Sequence, residues 1–272
     1  MATRKTYFLV PGWTYSMDSI TLGSIITNPA QPEIALAKSP SIGNLDSHPE
    51  RTRSLQSQLT SNNPDGGPGL FGTFLNQYGL GNEESLQYDR KSVTSYSFSQ
   101  MKSANHIPDE QMITRLVDSQ RVENYLNNKM PIYMITGIKS VRGAGVTVTS
   151  SIGPGWQVSL SVGAAPGSSN GLQSVVYAFR VSEVIARGNG EADSERSVSL
   201  NEFNAPAVSE SEGNRIAQEK LDKKFGEGTF TLIDGFDEMD EKPCLIVTPS
   251  LAPFDILTAG SARTDPTALR GN

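Results

Sequence analysis

One cysteine, Cys244, stands in 272 residues, so no disulfide can form within the chain and its stability has to come from buried apolar surface. Histidine is almost as scarce: His48 and His106 are far apart, and with a single thiol they exclude a conventional zinc site built without carboxylates. No basic surplus exists either. Asp and Glu number 29 against 23 Lys and Arg, a net charge of −6, which excludes nucleic-acid binding through bulk charge. Long hydrophobic runs are missing. The first, residues 7–10, stops at Pro11-Gly12 and is too short for a signal-peptide core. None approaches the about 20 residues of a membrane-spanning helix. No Asn-x-Ser/Thr sequon occurs. These absences set the expectation of a chain made soluble inside the cell, meeting a membrane only by rearranging or by lying on its surface.

Catalytic signatures are also lacking. Gly167-Ser168-Ser169-Asn170-Gly171 matches G-x-S-x-G, but a nucleophile elbow needs a strand before it, a helix after it and a histidine downstream. Here a β-pattern follows, and both histidines precede it. There is no G-x-x-x-x-G-K-[ST] phosphate loop. The acidic run at 234–241 lacks EF-hand spacing and reads as a solvated patch. The chain is therefore expected to be neither an enzyme nor a holder of metal or cofactor.

What is present centres on residues 144–185. In W-Q-V-S-L-S-V-G-A, Trp156, Val158, Leu160 and Val162 fall on even positions, with Gln, Ser and Gly on odd ones. Val146, Val148 and Ile152 continue the pattern upstream, opposite Thr147, Thr149 and Ser151. A period of two marks strands with one apolar and one polar face, and Gly153-Pro154-Gly155 between the runs predicts an antiparallel hairpin. No charged residue lies between Gly143 and Arg180. Soluble sheets usually carry Lys and Glu on the wet face. Small neutral groups opposite an apolar stripe suit a strand between lipid and a water-filled lumen, which needs about 9–11 tilted residues. The same pattern also fits an ordinary surface hairpin of a β-rich domain.

Along the chain, residues 7–10 and 20–26 (I-T-L-G-S-I-I) read as strands. The loop between them carries Trp13, Tyr15 and Met17, which either fold onto the core or form a wedge for a membrane or partner. Residues 28–69 read as mostly irregular. Segments 70–80 and 91–102 read as a second strand pair, with Val93 in V-T-S-Y-S-F-S and with Tyr96 and Phe98 on one face. Pro108-Asp109-Glu110 opens a helix whose Met112, Ile113, Leu116, Val117, Tyr125 and Leu126 form a core-facing stripe. I-Y-M-I-T-G-I at 132–138 is a buried-type strand, 175–185 another, and 187–196 a loop. Residues 209–225 read as a helix with late Lys220, Lys223 and Lys224, placed there by the helix dipole or for lipid headgroups. From Gly226 onward eight acids face three bases, against 21 and 20 before it, so a body of 1–225 and an acidic tail of 226–272 are expected.

Three of these segments, in this order and spacing, resemble the pore-forming N-terminal domain of gasdermins. Residues 19–26 look like the family's S-L-T-L-G-D-V-L, 132–138 like its V-Y-V-V-T-E-V, and 178–185 like its L-A-F-R-V-A-Q-L-V. The likeness covers about residues 7–186, and the chain's size matches the fungal gasdermin-like cell-death proteins of allorecognition. The resemblance implies an α+β fold, a twisted antiparallel sheet with flanking helices and two hairpins that convert to membrane-spanning strands. By carry-over those hairpins are about 70–102 and 144–179. It also implies an inactive cytoplasmic form and an active form at the plasma membrane. The active form would bind acidic phospholipids of the inner leaflet and assemble with itself or with a variant of the same family. An activating protease is a further expected partner. Trp13 and Tyr15 would sit on the membrane-contacting loop. That loop is basic in the family, but residues 11–19 hold no Lys or Arg and contain Asp18. Lipid capture by charge then falls to Arg4 and Lys5 or to Lys220, Lys223 and Lys224. The acidic tail is expected to cover basic residues as an autoinhibitor, and truncation near Gly226 to raise lysis. A protein-binding β module without membrane activity is the rival expectation.

Overall fold

In a computed structural model the chain is described over residues 4–12, 15–38, 51–53, 69–77, 93–97, 100–106, 108, 110–142, 145–151, 157–162, 174–187, 197–203 and 210–250. Among these residues it is an α+β protein built on one large, mostly antiparallel sheet. The strands are β1 (Lys5–Leu9), β2 (Ile25–Ile26), β3 (Ala35–Ala37), β4 (Arg51–Arg53), β5 (Val93–Ser97), β6 (Gln100–Asn105), β7 (Tyr133–Arg142), β8 (Gly145–Ser151), β9 (Gln157–Val162), β10 (Ser174–Arg187), β11 (Ser197–Glu202), β12 (Phe230–Asp237) and β13 (Lys242–Pro249). The helices are α1 (Leu70–Asn76), α2 (Glu110–Val117), α3 (Gln120–Asn127) and α4 (Glu210–Phe225). The large sheet runs β12-β13-β1-β10-β7-β2-β3; β11 adds to β10, and β6 pairs with both β7 and β4. Among the described strands only β1 and β13 pair in parallel, and an isolated parallel bridge joins Gly69 to Phe236 of β12.

Alternation along β1 divides the core. Phe8 packs against Phe179, Phe203, Phe225 and Phe230, the side covered by α4. Its neighbour Tyr7 faces the opposite side, where Lys139 of β7 and the turn after β12 lie. On β10 the register against β7 shifts between Val176 and Ala178, making Tyr177 the extra residue of a bulge. Tyr177 then stacks edge-on against Phe71 of α1, 5.2 Å between ring centres. A second cluster joins Ile113, Leu116 and Val117 of α2 and Val122 of α3 to Ile25, Met134 and Val184.

Several elements depart from the sequence expectations. Where a strand was expected over 70–80, Leu70–Asn76 is helix α1: Leu70, Phe71, Phe74 and Leu75 recur at helical spacing, and α1 buries all four; residues 78–80 lie outside the described residues. The strand expected over 20–26 is reduced to β2, because Thr21–Ser24 turns. Ser24 N–H donates to the Thr21 carbonyl, and Gly23 sits at φ 74°. The helix after Pro108 is two helices, broken at Asp118-Ser119. Strands β3, β4 and β11 were not anticipated. Where the sequence placed a tail, β12 and β13 form a hairpin inside the large sheet, with Cys244, Leu245, Ile246 and Val247 buried beside β1. The body therefore extends to Ser250, and residues 251–272 lie outside the described residues. Gln218 of α4 closes the outer edge of β12: its amide donates to the Phe230 carbonyl and accepts from Leu232 N–H, both at 2.9 Å.

Candidate functional site

Within the hairpin expected at 144–179, β8 and β9 pair antiparallel, with Val146 facing Val162, Val148 facing Leu160 and Ser150 facing Val158. A third strand, β5, adds to the other side of β8, with Tyr96 facing Val146 and Thr94 facing Val148. Successive rows alternate between the two faces of a sheet. One set of rows therefore holds Tyr96, Val146, Val162, Val148, Leu160 and Val158 with Thr94 and Ser150. The other holds Ser95, Ser97, Gly145, Thr147, Thr149, Ser151, Gln157, Ser159 and Ser161 with Val93. Val93, expected among the apolar inserting residues, thus belongs to the polar rows, opposite Thr149. Phe98, Ile152 and Trp156 lie outside the described residues.

The partner of β8 is also a correction. The second inserting hairpin was expected to pair 70–80 with 91–102; instead β5 pairs with β8, and β6 with β7. One register serves both ladders. Gln100 faces Arg142 and, three residues further on each strand, Ser97 faces Gly145. The β6–β7 ladder belongs to the large sheet, and the β5–β8 ladder to the separate, charge-free ribbon β5-β8-β9. Among the described residues, β5 and β9 each pair only with β8, leaving two open edges.

The structure puts most of the candidate lipid-binding cations in ion pairs. Arg4 bonds Asp234 at 2.5 Å and Asn214 at 2.9 Å. Lys5 bonds Asp240 at 2.5 Å. Both acids belong to the acidic run at 234–241, which lies in β12 and the turn after it. Each pair is half open to water and contributes at most about 1 kcal/mol. Lys224 bonds Glu183 of β10 at 2.5 Å and lies near the rings of Tyr133 and Phe203. Lys220 and Lys223 are exposed on α4. Tyr15 is half-buried against the core, and its carbonyl accepts the Val176 N–H at 2.8 Å. Burial and Glu33 raise its hydroxyl above the usual phenol range. Trp13 lies outside the described residues.

Beside the root of the ribbon sits a polar cluster with no counterpart among the expected site residues. Lys139 of β7 is fully buried, and its ammonium meets Asp237 Oδ1 at 2.6 Å. The Tyr7 hydroxyl donates to Asp237 Oδ2 at 2.6 Å, and Asp237 Oδ1 also accepts the Met239 and Asp240 amides. Next in sequence, buried Glu238 accepts the Phe71 N–H at 2.9 Å. Burial among apolar groups pushes the Glu238 carboxyl up to about 7, with Asp237 adding to the rise, while its own backbone N–H, that of Phe71 and Lys139 pull it down. Burial likewise raises Tyr7, Tyr177 and the Cys244 thiol, the last to where it is neutral and unreactive. One signal was in the sequence: Lys139 is the single charge between Ile132 and Val141, in a run otherwise fit for burial.

Among the described residues no group of His, Cys, Asp or Glu is placed to hold a metal ion. No described helix is long and apolar enough to cross a membrane, which says nothing about strands. No protein-family model matches the chain, and no curated protein matches it. Among solved structures, a bacterial gasdermin from Bradyrhizobium tropiciagri is similar over 73% of this chain and 85% of that chain, at 12% identity and a TM-score of 0.32.

Proposed function

We propose that this protein permeabilises membranes. It binds acidic phospholipids of the inner leaflet of the plasma membrane and oligomerises with itself or with a variant of its own family. It then inserts its ribbon as part of a closed β-barrel, causing cell death of the allorecognition type. The inactive form is cytoplasmic, and either a protease or a partner variant triggers it.

The observation that carries this reading is the charge-free outer ribbon, with apolar groups in one set of rows and small polar groups in the other, continuous in register with core strands. Backbone groups in lipid must be bonded within the protein, so a lone three-stranded sheet cannot span a bilayer; a ring of copies that closes the edges can. Open edges at β5 and β9 are what such a ring would join. The three sequence segments resembling gasdermins point the same way.

Dye release from liposomes with and without acidic lipid tests the reading, using the full chain and a chain ending after Ser250. Leakage confined to acidic liposomes supports it. No leakage and no co-sedimentation with acidic liposomes for either chain overturns it in favour of a protein-binding module.

A further inference from the structure

Lys139 stands between two irregularities of the sheet. On β10, Tyr177 is skipped between the partners of Ser140 and Lys139; on β7, Thr136 is skipped between the partners of Gly137 and Ile135. The β7–β10 ladder thus breaks step on either side of a short block, 137–139 opposite 178–180. Such interruptions leave a strand less firmly held by its backbone bonds. Soon after the block β7 ends at Arg142, and β8 of the charge-free sheet begins at Gly145.

The side-chain bond at this block comes from far across the sheet. Strands β13, β1 and β10 stand between β12 and β7. At about 4.8 Å per step, that separation within a sheet exceeds the reach of two side chains. Asp237, the last residue of β12, nevertheless meets the Lys139 ammonium at 2.6 Å. The contact is therefore tertiary, made over the face that carries Tyr7, whose hydroxyl donates to the same carboxylate. The turn that follows is tied down elsewhere. Glu241, at φ 53°, donates its N–H to the Asp237 carbonyl at 2.8 Å. Glu238 accepts the Phe71 N–H at 2.9 Å and so caps α1, whose N-cap residue, Gly69, has no side chain to do it.

We propose that the 237–241 turn is a latch on β7. While Asp237 holds Lys139 the irregular block stays seated; when the pair parts, the block shifts and frees the strand that leads into β8. A buried ion pair suits this task. It adds little stability over apolar side chains of the same volume, but it holds at one distance, and parting it strands two charges away from water. The latch's part in insertion rests on the membrane reading above; the latch itself is read in solution.

The unaltered chain is compared with the double variant Lys139→Met, Asp237→Asn. The variant keeps an oxygen for Tyr7 and for the Met239 and Asp240 amides but has no bond to β7. Hydrogen exchange without lipid is followed at 137–142 and 145–151, with α3 as reference. Exchange of the first two should rise about tenfold while α3 stays flat. No rise, or an equal rise in α3, overturns the latch. Should the double variant fail to fold, Tyr7→Phe removes one of the bonds that seat Asp237. It should give the same local rise at about threefold, and no rise overturns the latch. Dye release from acidic liposomes reads the link to insertion: the double variant should leak about tenfold faster, and equal rates overturn that link. Leakage from neither chain counts against the membrane reading, and the exchange result still decides the latch.

Discussion

Glu238 Oε1 accepts the backbone N–H of Phe71 at 2.9 Å, across 167 residues of chain, and does so in space left by the missing side chain of Gly69. Gly69 sits at φ −61°, ψ 149°, a conformation open to any residue, so its role is room and not backbone freedom. Gly69→Ala should displace the carboxylate and destabilise the protein by about 1–2 kcal/mol, the usual loss of a helix cap. Gly72, two positions into α1, has nothing near where its Cβ would lie. Gly72→Ala should stabilise by about 0.5–1 kcal/mol. Thermal melts of the two variants should move in opposite directions; a common direction would refute the cap.

The ion pair Lys139–Asp237 is almost fully buried on both sides. Lys139→Met leaves Asp237 with the Tyr7 hydroxyl but without its cation, and should cost about 3–5 kcal/mol. Asp237→Asn keeps an oxygen for the Met239 and Asp240 amides. The double variant should recover much of the loss. A urea-denaturation double-mutant cycle measures the coupling; additive single effects would show that the two groups do not act as a pair.

Membrane insertion predicts a difference between rows of the ribbon. Val158→Lys or Leu160→Lys places a charge in the apolar rows and should cost about 2–4 kcal/mol at mid-bilayer, abolishing dye release. Ser159→Lys, in the polar rows, should leak at close to the original rate. Equal leakage from all three would argue against a lipid-facing side.

The point of truncation matters because β12 and β13 belong to the large sheet. A chain ending near Gly226 loses the parallel partner of β1 and the buried Cys244, Leu245, Ile246 and Val247. It should fail to fold, visible as a lost cooperative melt, and so cannot report on a brake. A chain ending after Ser250 should keep the full melting temperature. A folded protein ending near Gly226 would contradict the sheet order.

Local pattern was legible wherever one residue's neighbours decide its state. The even-numbered apolar positions of β8 and β9 pair row by row, as their period required. Helix α4 spans nearly the segment assigned to it, and Ile113, Leu116 and Val117 are buried as their spacing implied. Where two periods competed, the shorter list of cues misled. Leu70, Phe71, Phe74 and Leu75 have helical spacing, against the strand expected there as partner of 91–102. The partner of β5 is β8, more than forty residues on, and pairing at such distance leaves no local mark.

The sequence by itself determined that the chain has no internal disulfide, no long apolar run and no charge in residues 144–179, because these depend only on which residues are present. It also determined the alternation of β8 and β9 and the end of α4. Tertiary structure alone decided what the acidic stretch after Gly226 does. In the chain it is a run of like charges, which normally stays in water. In the fold its residues divide: Asp234 and Asp240 pair with Arg4 and Lys5 at the surface, while Asp237 and Glu238 go inside to Lys139 and to the amino end of α1. A carboxylate can be buried only where a cation or an amide N–H meets it, and Lys139 and the Phe71 amide stand 98 and 167 residues away in sequence.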